Sequence, residues 1–318
     1  MSSADGTTSG STEEINAHAP RVGFFKRVLG PLHYSGVFWL RFHYSLVTNA
    51  PDWVIACANW FCVRSCYVLL PSVRRALATN QDLAMGSVSP RQTRKRVLKS
   101  LDAFAWCLAE RWERFEGSKP IELRYEGREH CEKLLASDQG ILMITGHVGM
   151  WEAASRVAAD ESAREVHLVR EREMDAGAQS FLEKLLARSK CTKYVTHFAD
   201  DPVLGIELMN ALRDGNLVAL QGDRPRRGGR SLEVKVFGRT CHVPDGPAIL
   251  ARSTGCPLLP VFARREGRRR YVVRFFEPLI SLHTRDRAAD NRTLIDAYVR
   301  DLESAIRTAP EQWFKFGG

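Results

Sequence analysis

The stretch Ile141-Leu142-Met143-Ile144-Thr145-Gly146-His147-Val148-Gly149-Met150-Trp151-Glu152 holds the residues best suited to chemistry. Ile141 to Thr145 reads as a buried strand and Gly149 to Ala159 as a helix, so His147 falls in the turn between them. In an open α/β sheet the carboxyl ends of the strands are where ligands bind. A helix N-terminus there offers backbone N–H groups, with Gly149 the candidate, to an anion or a developing oxyanion. Glu152 follows His147 by five residues, a spacing that would splay the two side chains apart on one continuous helix. With His147 in the turn, the carboxylate can instead fold back to one ring nitrogen. That would fix the tautomer and leave the other nitrogen to take a proton from a hydroxyl. The same spacing also fits a loop His bonded to nearby backbone, beside a carboxylate that only favours the helix dipole. Spacing alone leaves both readings open.

The elements that would position this turn change character near residue 118. From Pro90 to Phe115 the apolar residues Val97, Leu98, Leu101, Phe104, Ala105, Leu108, Trp112 and Phe115 recur at three and four residues, which predicts a long amphipathic helix. After Gly117, short apolar runs alternate with helical stretches, the pattern of an α/β domain. Strands are expected at 121–125, 140–145, 166–169, 193–196, 217–221, 233–237, 258–263 and 271–276. Helices are expected at 129–136, 149–159, 173–188, 202–213, 245–253 and 291–307. The first twenty residues are Ser, Thr and Gly-rich with little to bury, so residues 1–20 are expected to be a flexible tail.

The chain of 318 residues carries a formal net charge of +9, which implies acidic partners such as a phospholipid surface, a phosphorylated substrate or an acidic carrier protein. Eight cysteines include no Cys-x-x-Cys pair and no His at zinc-finger spacing, so reduced thiols in a cytosolic compartment and no metal site are expected. Val37 to Leu70 is rich in aromatics but is interrupted by Arg41, His43, Asn49, Pro51, Asp52, Asn59 and Arg64. It therefore reads either as a buried helix pair or as an interfacial hairpin whose Arg41, Arg64, Arg74 and Arg75 meet anionic lipid. The sequence lacks Gly-x-Ser-x-Gly and Gly-x-x-x-x-Gly-Lys, which removes the usual hydrolase elbow and the phosphate loop. Arg264, Arg265, Arg268, Arg269 and Arg270 read as a solvated hairpin turn, with docking of a carrier protein or anionic lipid as the functional alternative. Basic runs without interleaved aromatics argue against nucleic acid.

Gly146-His147 followed by four residues and Glu152 resembles the His-x4-Asp/Glu signature of glycerolipid-type acyltransferases. Its Gly-His-x-Gly-x-Trp-Glu form is especially similar to the lipid A biosynthesis lauroyl/myristoyl acyltransferase family. Further blocks resemble that family in order: Val169-Arg170, Gly222-Asp223-Arg224-Pro225, Phe237-Gly238, Pro244-Asp245-Gly246-Pro247-Ala248, Thr254-Gly255-Cys256-Pro257 and Pro310-Glu311-Gln312-Trp313-Phe314. The chain departs from the family's pattern in having Gly146 rather than Asn before the His, a Gly-Asp-Arg block, and no spanning helix. These departures speak against lipid A itself as the acceptor and leave ornithine lipids, glycosylated lipids and secondary-metabolite lipids open.

The resemblance implies an α/β fold with a central, mostly parallel or mixed sheet and helices on both faces. A helical, membrane-associating region at 21–117 would precede an acyltransferase domain at 118–318. It implies transfer of a fatty acyl group from an acyl thioester, on acyl carrier protein or coenzyme A, to a hydroxyl of a lipid, glycolipid or related acceptor, with no metal or other cofactor. His147 would be the base and Glu152 its orienting partner. Arg170 and Arg224 would bind acceptor phosphate or steady the thioester oxyanion, while Asp223 would hold an Arg or an acceptor hydroxyl. A cytoplasmic enzyme held peripherally on the inner membrane is expected. The rivals are an acyl thioesterase using the same pair on water, and a non-catalytic basic membrane-binding protein.

Overall fold

The computed structural model describes residues 37–116, 119–153, 162–173, 175–188, 194–226 and 228–316. The expected tail at 1–20, and the part of the expected helix 149–159 beyond Ala153, lie outside them. Helices α1 (Val37–Asn49), α2 (Asp52–Leu69), α3 (Pro71–Met85) and α4 (Pro90–Glu116) precede the sheet. The alternating part then runs β1 (Glu122–Glu126), α5 (Arg128–Leu135), β2 (Ile141–Thr145), β3 (Val166–Arg170), α6 (Ala176–Arg188), β4 (Tyr194–Phe198), α7 (Leu204–Arg213) and β5 (Leu217–Gln221). It continues with β6 (Ser231–Val236), β7 (Arg239–Pro244), α8 (Gly246–Thr254), β8 (Leu258–Gly267), β9 (Arg270–Phe275), α9 (Arg287–Thr308) and a short 3₁₀ turn at Pro310–Gln312.

Seven strands form one sheet in the order β1-β9-β8-β2-β5-β3-β4. From β8 to β4 every neighbour is parallel, while β9 runs antiparallel to β8 and pairs in parallel with β1. The sheet is therefore mixed, with a parallel central block, and β2 at its middle is buried along its whole length. One face packs Leu142, Ile144, Val218 and Phe262 against α7, α8 and α9; the other packs Met143, Leu217, Val261 and Tyr271 against α4 and α5. Burial on both faces is why these strands read as continuous apolar runs rather than alternating ones.

The separate hairpin β6–β7 turns through Phe237 and Gly238, at φ 50 and φ 78. β7 was not expected, because Arg-Thr-Cys-His carries neither an apolar run nor a clear alternation; its main-chain pairing with β6 supplies what its side chains do not signal.

The helical region combines features of both readings of Val37 to Leu70 and corrects one other expectation. Val47, Ile55, Val63 and Leu77 are buried against α4, but Trp53, Phe61 and Leu69 remain 70%, 69% and 72% exposed. The helices thus bury an inner face and leave an aromatic outer one. Among the described residues no single helix is long and apolar enough to cross a membrane; α2 and α3 together pass that test but bend by 95°. Arg264, Arg265, Arg268 and Arg269 are paired rather than solvated, while Arg270 is exposed as expected. Arg265 and Arg268 bond Glu110, and Arg268 and Arg269 bond Glu113, two α4 carboxylates that are fully buried. Arg264 pairs with Glu126, and the Tyr271 hydroxyl donates to Glu110. Burial works against the charge on Glu113, but hydrogen bonds from Arg269 and Arg268 hold its carboxyl below the ordinary range. These pairs fasten α4 to the β8–β9 hairpin.

Candidate active site

The geometry at the sheet edge follows from register. Thr145 at the end of β2 lies opposite Gln221 at the end of parallel β5, and the Gly222 N–H donates to the Thr145 carbonyl at 2.8 Å. His147 and Asp223 each stand two residues beyond that pair. Their side chains meet: His147 Nδ1 lies 2.7 Å from Asp223 Oδ1. β3 pairs with β5 on its other side, with Leu168 opposite Ala219, which brings Arg170 to the same edge.

The His147 turn is clamped by the chain's end. The Phe314 N–H donates to the His147 carbonyl at 2.7 Å, and the Gly149 N–H donates to the Gln312 carbonyl at 2.9 Å. The Gln312 side chain in turn bonds both main-chain groups of Arg265. Gly149 itself sits at φ 55, and an added Cβ would run into the Ala263 carbonyl oxygen. A left-handed residue with no side chain is what lets the turn lie against β8. The Trp151 ring packs at 5.2 Å, centroid to centroid, against the His147 imidazole.

A cavity of about 920 Å³ opens at this edge, and His147, Glu152, Arg170 and Arg224 all line it. Its wall is polar at the strand ends, with Thr145 and Gln221. Deeper along the same strands it is apolar, with Met143, Leu168, Ala219 and Val261. Asp223 lies beneath His147, only 3% exposed. Burial alone would push its carboxyl up. The facing His147, by charge and by hydrogen bonds, and Arg224 more distantly, outweigh burial and hold it below the ordinary value. A carboxylate at Nδ1 accepts the ring proton there and leaves Nε2 for the cavity.

Two expectations are corrected. Glu152 does not fold back onto His147: its Oε1 lies 2.9 Å from Arg111 Nη2, because α4 brings a guanidinium to it while Asp223 takes Nδ1. Asp223 therefore holds the histidine rather than an Arg or an acceptor. The Gly149 N–H is not open to an oxyanion, since the Gln312 carbonyl occupies it; the Val148 and Met150 N–H groups are likewise spent on the Gly146 and Ala263 carbonyls. The positive charge at this edge comes instead from side chains.

Arg111, which also lines the cavity, was not singled out in the sequence. It sits within a helix whose pattern spoke only of packing, and its place in the site depends on α4 docking against the sheet. Arg170 and Arg224 have no carboxylate within ion-pair distance among the described residues. Burial, and then the nearby Arg111 charge, lower the proton affinity of Arg170, offset in part by Glu152, Glu173 and Glu183. Among the described residues no group of three or more His, Cys, Asp or Glu could hold a metal ion.

This chain is 24% identical over 299 residues to the phosphatidylinositol mannoside acyltransferase of Mycobacterium tuberculosis strain CDC 1551 / Oshkosh, covering 85% of this chain and 88% of that protein. The protein of that name from strain ATCC 25618 / H37Rv gives the same values. The crystal structure of the 1-acyl-sn-glycerophosphate acyltransferase PlsC from Thermotoga maritima aligns with a TM-score of 0.37 at 13% identity, covering 83% of this chain and 96% of that chain. The family model for bacterial lipid A biosynthesis acyltransferases matches residues 32–317. That match takes in the helical region, the sheet and the C-terminal clamp alike, and the chain belongs to the bacterial lipid A biosynthesis acyltransferase family.

Proposed function

We propose that this lipid acyltransferase moves a fatty acyl group from an acyl thioester, on acyl carrier protein or coenzyme A, to a hydroxyl of a lipid or glycolipid held in the cavity beside His147. The observation that carries the reading is the His147 Nδ1 contact with buried Asp223, which leaves Nε2 toward a cavity with a polar mouth and an apolar floor. Nε2 takes the hydroxyl proton as the oxygen attacks the thioester carbonyl. The C–O bond forms, the carbonyl oxygen carries the negative charge, and Asp223 steadies the imidazolium. Collapse of that intermediate breaks the C–S bond, and the leaving thiolate takes the proton back from Nε2. The reaction then needs no acyl-enzyme.

The mycobacterial relatives are named for phosphatidylinositol mannoside, a glycosylated phospholipid. An anionic glycolipid acceptor for this chain fits guanidiniums of Arg170 and Arg224 that lack carboxylate partners among the described residues. The exposed aromatics of α1 and α2, with exposed Arg41, Arg64 and Arg75 beside them, support peripheral attachment to an anionic membrane on the cytoplasmic side, where acyl thioesters are made.

Incubating purified protein with a labelled acyl thioester and extracted lipid tests the reading. Label in lipid that disappears in His147→Ala supports it. Release of free acid without transfer would establish a thioesterase, and no turnover of any kind would leave a binding protein.

A further inference from the structure

The motif carboxylate Glu152 has a role that its distance from the base suggests. His147 Nδ1 is already held by Asp223, and a second carboxylate on the ring could reach only Nε2, the nitrogen a base must keep open for the acceptor proton. Glu152 instead binds Arg111, at 2.9 Å, across 41 residues of chain and between two different layers of the fold. Arg111 comes from α4, fixed on the far side by the buried Glu110 and Glu113 pairs. It stands in the same cavity wall as Arg170, close enough for the two charges to oppose each other.

We propose that Glu152 is a positioning residue for Arg111, and that Arg111 together with Arg170 forms the wall that receives an anionic oxygen of the substrates. The proposal rests on the acyl-transfer reading and names the use of one part of that site. The described wall carries Arg111, Arg170, Arg224 and Arg226 beside Glu152, Glu171 and Glu173, and Arg170, with no carboxylate at ion-pair distance among the described residues, is free to take a charge-assisted bond from an anionic oxygen. The Val148, Gly149 and Met150 N–H groups of the His147 turn are bonded to carbonyls and so do not supply the oxyanion contact. The Glu152 charge offsets the repulsion between the two guanidiniums, and its ion pair orients the planar fork of Arg111.

The anionic oxygen has two sources, the carbonyl oxygen of the tetrahedral intermediate and a phosphate of acceptor or donor. They differ in kinetics. Loss of contact with an oxygen that becomes negative only in the intermediate lowers kcat with KM unchanged; loss of contact with a ground-state phosphate raises KM.

The test uses full-length wild type, Glu152→Gln, Arg111→Gln, Arg111→Lys, the Glu152→Gln/Arg111→Gln double variant and Asp223→Asn, each assayed for acyl transfer across pH. Glu152→Gln and Arg111→Gln are expected to lower kcat/KM by about 10- to 10²-fold, with the acid limb of the profile unmoved. The double variant should be no worse than the poorer single one, since Glu152 acts through Arg111. Arg111→Lys should recover only part of the loss. Asp223→Asn, by contrast, should displace the acid limb. An acid limb displaced by Glu152→Gln as by Asp223→Asn would make Glu152 a partner of the base and overturn the proposal. So would additive losses in the double variant, or wild-type transfer by Arg111→Gln. Free-acid release in place of transfer by the wild type would overturn the acyl-transfer reading instead, and the same limbs and the same double variant would then be read on hydrolysis.

Discussion

His147 and Asp223 lie 76 residues apart in the chain, yet their side chains meet at 2.7 Å because each stands two residues beyond an opposed pair on neighbouring parallel strands. The contact is thus a product of register. It joins Nδ1, the ring nitrogen that carries the proton, to a carboxylate that is 3% exposed, and leaves Nε2 to accept a proton.

Replacing His147 by Ala is expected to lower acyl transfer by about 10² to 10⁴ or more, the usual contribution of a general base. Asp223→Asn should cost a comparable factor with the fold intact. An amide can donate to Nδ1 and so place the ring proton on Nε2, the wrong nitrogen. Transfer rates with thermal melts for both variants check this. A folded His147→Ala protein with near wild-type transfer would remove His147 from the mechanism.

Gly149→Ala should damage the turn without touching any reacting group. Left-handed backbone costs a non-glycine residue about 1–2 kcal/mol, and the new Cβ would also press on the Ala263 carbonyl. The expected outcome is a lowered Tm together with a loss of transfer, because the Phe314 and Gln312 contacts to the turn are disturbed. An unchanged melt would show that the turn can relax away from β8.

Binding to vesicles should need both charge and the exposed aromatic face. Trp53→Ser with Phe61→Ser should reduce co-sedimentation with anionic vesicles, and raised salt should weaken the wild-type interaction, since screening acts on the arginine contacts. Neutral vesicles should bind less at low salt. Full retention of the protein on membranes after carbonate extraction would contradict peripheral attachment.

Acid should loosen the dock between α1 and α4. The Trp112 indole N–H donates to His43 Nδ1 at 2.9 Å, and burial lowers the His43 pKa, so the ring is held neutral in the folded protein. A histidine with a folded pKa below its unfolded one contributes stability that is whole above the unfolded value, about 6.5, and that is lost as pH falls below it. Denaturant melts from about pH 8 to about pH 5 should therefore show wild type losing more stability than His43→Asn. The Asn carbonyl can accept from Trp112 without titrating. Equal losses in the two proteins would mean that His43 carries no part of the acid sensitivity.

The strand and turn around His147 were legible because their signals are local: an apolar run from Ile141 to Thr145, then glycines where the backbone must turn. The long helix α4 declared itself in the same way, through apolar residues at three and four. The partners of the charged residues were not legible. Glu152 stands close to His147 along the chain, but among the described residues its ion pair is with Arg111, delivered by a helix packed on the sheet. Of the arginines 264, 265, 268, 269 and 270 that read as a solvated turn, Arg265, Arg268 and Arg269 meet Glu110 and Glu113 of α4.

By itself, the sequence determined which residues could do chemistry and that they stood at strand ends, since periodicity and residue type need no knowledge of distant segments. Only the tertiary structure decided that β5 lies beside β2, in a register that pairs Thr145 with Gln221 and so gives Asp223 rather than Glu152 to His147. Parallel neighbours are joined by long crossovers, so their order and register are set by packing across the whole sheet, and nothing in the residues near either strand encodes it.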